Sequence, residues 1–215
     1  RRWLQETPVF EEIRALKQIS RMPIRDVIRD YKPDVVVSVI AAWMLTACVV
    51  VIMLMTPTLL SQLHGVPLVS ALQANTAATL GLCVSVVIAG MACDRWGAAW
   101  VAAISTPLLI ASIYALYLGV ARDPALLLPL YALAGFCAGV IGIVPIVMIQ
   151  SFPAAVRFTG LSLCYNLAYA VVGGLTPVVI PALSRLTPLA PAHYVTLACV
   201  VGGVAIVLQA RRRAR

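Results

Sequence analysis

Few side chains in this sequence could do chemistry, and those inside its apolar stretches are almost all neutral hydrogen-bonding groups. Ser162, Asn166, Tyr169 and Gly173 follow i, i+4, i+7 and i+11, which puts them on one stripe of a helix, with Tyr165 one step round. Gln73 with Thr76, and Asn75 with Thr79, make two further pairs at helical spacing, while Trp43, Thr46 and Tyr131 stand alone. Such groups can hold a small polar solute. They also join helices to each other inside a membrane, a use worth about 0.6 to 2 kcal/mol per bond, and spacing alone leaves both uses open. Covalent chemistry fits poorly: there is no H-E-x-x-H, no G-x-S-x-G, no phosphate-cradling glycine loop and no pair of carboxylates within the apolar stretches. No Asp, Glu, Lys, Arg or His falls in the middle of an apolar run, so these stretches hold no proton relay and no charged contact for a substrate. An enzyme is not expected, and nothing calls for a cofactor.

Metal chemistry is equally unsupported. Cys48, Cys83, Cys93, Cys137, Cys164 and Cys199 lie inside apolar runs without C-x-x-C spacing and read as apolar filler. His64 and His193 fall in breaks between runs, where a lone histidine reads as a surface residue.

These positions are carried by elements built for lipid. Hydrophobic residues make up 62% of the 215, charged residues 11%, and the mean hydropathy is +0.98, whereas a water-soluble domain carries about a quarter charged residues. Between Val35 and Ala210 the only charges are Asp94, Arg95, Arg122, Asp123, Arg157 and Arg185. A net charge of +8 suggests nucleic acid at first sight, but the cations cluster at the ends with no aromatic platforms between them, so no nucleic acid is expected as a partner.

A helix needs about 20 apolar residues to cross the hydrocarbon layer. The punctuating charges delimit six such runs, at about 35–60, 68–93, 98–119, 125–149, 159–183 and 192–210, with Ser61, Gln62, His64, Gly65 and Pro67 expected to form the turn between the first two. Closed barrels would show alternating strands of about ten residues instead. The expectation is an all-α membrane protein with a six-transmembrane-helix bundle over 35–210, a cytoplasmic segment over 1–34 and a basic tail over 211–215.

Lys and Arg set the orientation. With the N-terminus inside, the cytoplasm receives the eight of residues 1–34, then Arg95, Arg157, Arg211, Arg212, Arg213 and Arg215, and only Arg122 and Arg185 lie outside. Both termini are therefore expected in the cytoplasm. Ahead of the first run, Thr7 and Pro8 resemble a helix start, and Ile24, Val27, Ile28 and Tyr31 recur at helical spacing opposite Arg25, Asp26, Arg29 and Asp30, as in a helix lying along the membrane surface.

Three stretches resemble one family. Gly90, Asp94, Arg95 and Gly97 form a G-x-x-x-D-R-x-G turn that resembles the loop motif of major facilitator superfamily transporters. Glu6, Thr7, Pro8 and Phe10 resemble the E-T-P-x-F stretch that follows the sixth span in the metabolite:proton symporter branch. Phe152, Pro153, Arg157 and Gly160, with the residues through Pro177, resemble that branch's F-P-x-x-x-R-x-x-G element and eleventh span. The resemblance covers essentially the whole chain but one half of the family's twelve-span fold, the central loop and spans seven to twelve. Two departures stand out: Ala98 and Ala99 replace the usual basic residues of the loop, and Gln150 replaces a usual Glu.

The resemblance implies secondary transport of a small polar metabolite, an organic acid or zwitterionic osmolyte, across a bacterial-type inner membrane, with a proton as the coupling ion. The implied partners are the substrate, membrane lipid, and the N-terminal six-span half or a second copy. In the family the first, second, fourth and fifth runs would line the cavity, so Gln73, Asn75, Thr76, Tyr131, Ser162, Tyr165, Asn166 and Tyr169 are the cavity candidates. Gly90, Asp94, Arg95, Gly97 and Arg157 are the gating candidates, and no metal ligand is expected. Gly135 and Gly139, four apart, would let two helices approach closely, and Pro57, Pro107, Pro145 and Pro177 would break or kink spans. A non-transporting six-span protein that packs against partners is the other reading.

Overall fold

An apolar run buried in lipid becomes helical because only a helix satisfies its backbone N–H and C=O groups within one segment. The computed structural model describes residues 23–213, so the stretch over 2–10 and the Thr7–Pro8 helix start lie outside the described residues. A short helix α1 (Pro23–Asp30) precedes six long ones: α2 (Lys32–His64), α3 (Leu68–Trp96), α4 (Ala98–Arg122), α5 (Pro124–Ser151), α6 (Arg157–Ser184) and α7 (Ala190–Arg212). All six are long and apolar enough to cross a membrane, and the described residues contain no strand. The fold is the expected all-α bundle.

The breaks between helices are shorter than the sequence suggests. Ser61, Gln62 and His64 belong to the last turn of α2, which ends only at Gly65, where φ is +65°. Polar side chains are tolerated in an exposed last turn, and the left-handed residue decides where the helix stops. Asp94 and Arg95 are likewise helical: Gly97 alone joins α3 to α4, at φ +82°. His193 lies in the first turn of α7, not in a loop, with its N–H bonded to the Leu189 carbonyl at 3.0 Å.

Three spans leave α-helical geometry in mid-course. A π-helical stretch occupies Cys48–Met55 of α2, a 3-10 stretch Ala138–Gly142 of α5, and a second π stretch Ala168–Gly173 of α6. Each lies just before a proline: Pro57, Pro145 and Pro177. Proline lacks an N–H and its ring crowds the carbonyl four residues back. Those carbonyls belong to Met53, Ile141 and Gly173, all within the irregular stretches. Pro107 differs, since α4 stays α-helical through it.

Glycine brings α5 against α3. A Cβ on Gly135 would strike the Ala78 backbone, and one on Gly139 would strike Ser85, so the backbones are in direct contact where the glycine spacing predicts close approach. Helix α7 packs against both α2 and α4, and there the Cys48 and Cys199 sulfurs lie 4.0 Å apart in full burial. Burial is uneven: 61% of the most apolar stretch of α2 is buried, against 22% for α3 and 17% for α6. Helices α3 and α6 therefore expose most of their surface outside this bundle.

Candidate functional site

The exposed face of α6 carries most of the polar stripe. Tyr165 and Tyr169, one turn apart, stack with centroids 4.7 Å apart and planes 21° from parallel. Asn166 is exposed and donates its amide to the Ser162 carbonyl at 2.8 Å. Ser162, Tyr165 and Asn166 line a cleft of about 330 Å³ whose other wall includes Pro145 and Met148 of α5. Gly173 closes the stripe against α2, since a Cβ there would lie 3.2 Å from the Thr46 methyl and 3.8 Å from the Tyr169 ring.

On α3, Gln73 and Thr76 are exposed, but they do not bond each other: Thr76 donates to the Leu72 carbonyl at 3.2 Å. The Asn75–Thr79 pair is made through the backbone, with the Thr79 hydroxyl 2.8 Å from the Asn75 carbonyl and 3.8 Å from the Met53 sulfur of α2. The Asn75 side-chain oxygen is buried with no hydrogen-bond partner. A buried acceptor left empty costs free energy.

Other polar candidates are turned into the bundle. Tyr131 is fully buried and donates to the Ile52 carbonyl of α2. Trp43 donates to the Tyr194 hydroxyl at 3.2 Å, which in turn lies 2.8 Å from the Thr176 hydroxyl, so one polar chain runs across α2, α7 and α6. Thr46 is buried and spends its hydroxyl on the Ala42 carbonyl. These side chains hold helices together, whereas the exposed set on α3 and α6 is available to a partner or solute.

The motif residues at the ends of the spans divide in the same way. Asp94 and Arg95 are exposed, and no hydrogen bond or ion pair holds the Asp94 carboxylate among the described residues. Gly97 starts α4 without a side-chain cap, and Asp94 does not supply one. The Arg95 guanidinium lies 5.7 Å from the centre of the Trp96 ring. A Cβ on Gly90 would meet nothing within 4 Å. Arg157, by contrast, is committed: its Nε donates to the Phe152 carbonyl at 3.1 Å. The buried Phe152 ring fills the space in front of Gly160, where a Cβ would fall 2.7 Å from it, so the spacing from Phe to Arg to Gly builds one closed turn.

Several contacts of polar side chains lie outside the residues that the sequence singles out. Gln209 near the end of α7 donates to Asp34 at 2.6 Å and lies 3.4 Å from Ser151, tying three helices at one end of the bundle. Both histidines meet tyrosines of α4. His64 packs edge-on to Tyr117 at 6.5 Å, and His193 Nδ1 lies 2.6 Å from the Tyr114 hydroxyl. The i, i+3 spacing of Tyr114 and Tyr117 was the available signal.

Comparison with known proteins gives two kinds of relative. A Staphylococcus aureus protein named "Putative proline/betaine transporter" is 29% identical over 222 aligned positions, covering 96% of this chain and 45% of that protein. A Klebsiella pneumoniae protein named "Citrate-proton symporter" is 33% identical over 132 positions, covering 59% of this chain and 30% of that protein. The chain thus spans less than half the length of the curated relatives it matches. No family model matches it, and no solved structure matches it at a significant level. Both relatives are named as carriers of small metabolites, which is consistent with a non-enzymatic role.

Proposed function

We propose that the chain is one half, the C-terminal spans seven to twelve, of a secondary carrier of the major facilitator superfamily. The carrier moves an organic acid or a zwitterionic osmolyte by alternating access in symport with protons. One observation carries this reading: the likeness to a protein named as a proline/betaine transporter extends over 96% of the chain. The exposed, partly polar surfaces of α3 and α6 support it, because a second bundle facing them would enclose a cavity near mid-membrane.

In this reading residues 1–34 form the cytoplasmic link from the first half, 35–210 the six-span bundle and 211–215 a cytoplasmic tail. The carrier sits in a bacterial-type plasma membrane with both termini inside. Gln73, Asn75, Thr76, Ser162, Tyr165, Asn166 and Tyr169 face the substrate path, while Tyr131 supports it from behind. Asp94 and Arg95 engage the other bundle in one state of the cycle, which accords with a carboxylate that no hydrogen bond or ion pair holds among the described residues.

Reconstitution tests this. In vesicles with a proton gradient the 215-residue chain alone accumulates neither citrate nor betaine, and co-expression with the N-terminal half restores uptake that an uncoupler abolishes. Gradient-driven uptake by the chain alone would overturn the half-carrier reading.

A further inference from the structure

Two of the six cysteines meet across the contact between α2 and α7. The Cys48 and Cys199 sulfurs, 4.0 Å apart, are within S–H···S reach, and both side chains are buried. With 151 residues between them, the pair carries no spacing signature in the sequence. A third sulfur lies one helical turn along the same contact. Met44 precedes Cys48 by one turn of α2, and its Sδ lies 3.0 Å from where a Cβ on Gly202, one turn past Cys199, would fall. Met44 is also fully buried.

This donor set is soft and uncharged. Among the described residues no three of His, Cys, Asp and Glu come together, so an ion that needs four hard or borderline ligands finds no site. A soft monovalent ion of the copper(I) class needs only two or three sulfurs, thiolate or thioether. With metal–sulfur bonds of about 2.3 Å, two sulfurs 4.0 Å apart subtend roughly 120° at the ion, the angle of a trigonal site. The flexible thioether of Met44 can take the third position. On binding, the ion displaces one thiol proton, which leaves to solvent, so the buried site stays neutral.

A route to the pair exists as well. Cys199 lines a groove of about 310 Å³ between α4 and α7, together with Ala102, Thr106 and Gly203. Ala103, Pro107, Val200 and Val204, all exposed, open that groove on the outer surface of the bundle. The buried Thr106 hydroxyl has no hydrogen-bond partner, which leaves one polar point on an otherwise apolar path.

We propose that Cys48, Cys199 and Met44 form a binding site for one soft monovalent metal ion, whose occupancy clamps α2 to α7 where the π-helical stretch Cys48–Met55 begins. The site does not depend on the carrier reading.

The test uses the purified protein with Cys83, Cys93, Cys137 and Cys164 replaced by Ala, so that only the pair remains. Copper(I) is the probe, in anaerobic reducing buffer that keeps the pair as thiols. In competition with bathocuproine disulfonate the protein retains one copper(I) per chain, and X-ray absorption shows sulfur neighbours alone at about 2.3 Å. Either Cys48→Ser or Cys199→Ser weakens retention by more than the roughly 10–100-fold that an outer-shell partner commands. Met44→Leu weakens it by about tenfold, as for loss of a neutral thioether. Saturating copper(I) raises the melting temperature of the two-cysteine protein and leaves that of either serine variant unchanged. No retained copper(I), oxygen or nitrogen neighbours in the absorption spectrum, or equal retention by a folded serine variant overturns the site. The spectrum needs no change at the pair, so it decides the matter even where a serine variant fails to fold. Binding without a rise in melting temperature overturns the clamp.

Discussion

The Tyr131 hydroxyl on α5 donates to the Ile52 carbonyl on α2, the acceptor that residue 57 would serve in a π register if it were not proline. On α6 the Thr176 hydroxyl, next to Pro177, takes the Val172 carbonyl at 2.6 Å with Tyr194 behind. On α2 the Thr56 hydroxyl, next to Pro57, lies 2.8 Å from the Val51 carbonyl, which the Thr56 backbone N–H also serves, and 3.1 Å from Tyr117. Two Thr-Pro steps are thus stabilised by tyrosines from neighbouring spans, which keeps a break in the helix from exposing backbone to lipid.

Tyr131→Phe removes the donor and leaves a buried carbonyl unmade, so we expect a loss of about 1–3 kcal/mol. Thermal unfolding of the purified protein measures it. Because Pro57→Ala restores an N–H to the helix, the same tyrosine substitution should cost less in that background, and an equal cost in both would break the proposed link.

Gly135→Val drives a side chain into the Ala78 backbone. We expect destabilisation of at least about 1–3 kcal/mol, seen as a lower melting temperature and loss of the monodisperse peak in detergent. Gly90→Ala is the control: its Cβ meets open space, and the change in a helix interior should be neutral or stabilising by about 0.5–1 kcal/mol.

Asp94→Asn breaks no bond among the described residues, so its melting temperature should match wild type. In the complete carrier we expect transport to slow by roughly tenfold or more, equivalent to about 1.4 kcal/mol of barrier, while substrate Kd is preserved. Normal turnover in this variant would assign Asp94 to an ordinary solvated helix end.

Orientation is checked by impermeant thiol labelling in a background without the six native cysteines. Cysteines placed at Gln62 and at the exposed Leu186 should react from outside intact cells. One at the exposed Ala154 should react only after permeabilisation, and labelling of Ala154 in intact cells would reverse the assigned sidedness.

Run length made the six spans legible in the sequence, because a bilayer imposes a minimum length that few soluble helices meet with so little charge. The glycine contact was legible for a similar reason: absence of a side chain has one common use at four-residue spacing inside a membrane. Tyrosine is different, since its ring suits a core and its hydroxyl suits a cavity. Spacing could not tell that Tyr131 turns inward while Tyr165 turns outward. The irregular stretches add to this, since spacing did not announce the π segment that begins at Ala168, next to the Tyr165–Tyr169 stack. Gln209 and Asp34 were beyond reach, being 175 residues apart and joined only by the packing of α7 on α2.

The joint at Gly97 makes α4 a lever with a single pivot. One pair of backbone torsions, φ 82° and ψ 154°, separates 29 helical residues from 25. At 1.5 Å per residue α4 reaches about 37 Å from that point, so a 10° change in either torsion swings its far end by roughly 6 Å. That far end carries Tyr114 and Tyr117, the residues that hold His193 and His64. A small adjustment beside Asp94 would therefore displace the opposite end of α4 by a much larger amount, with the helices packed along it, α5 and α7, moving or giving way.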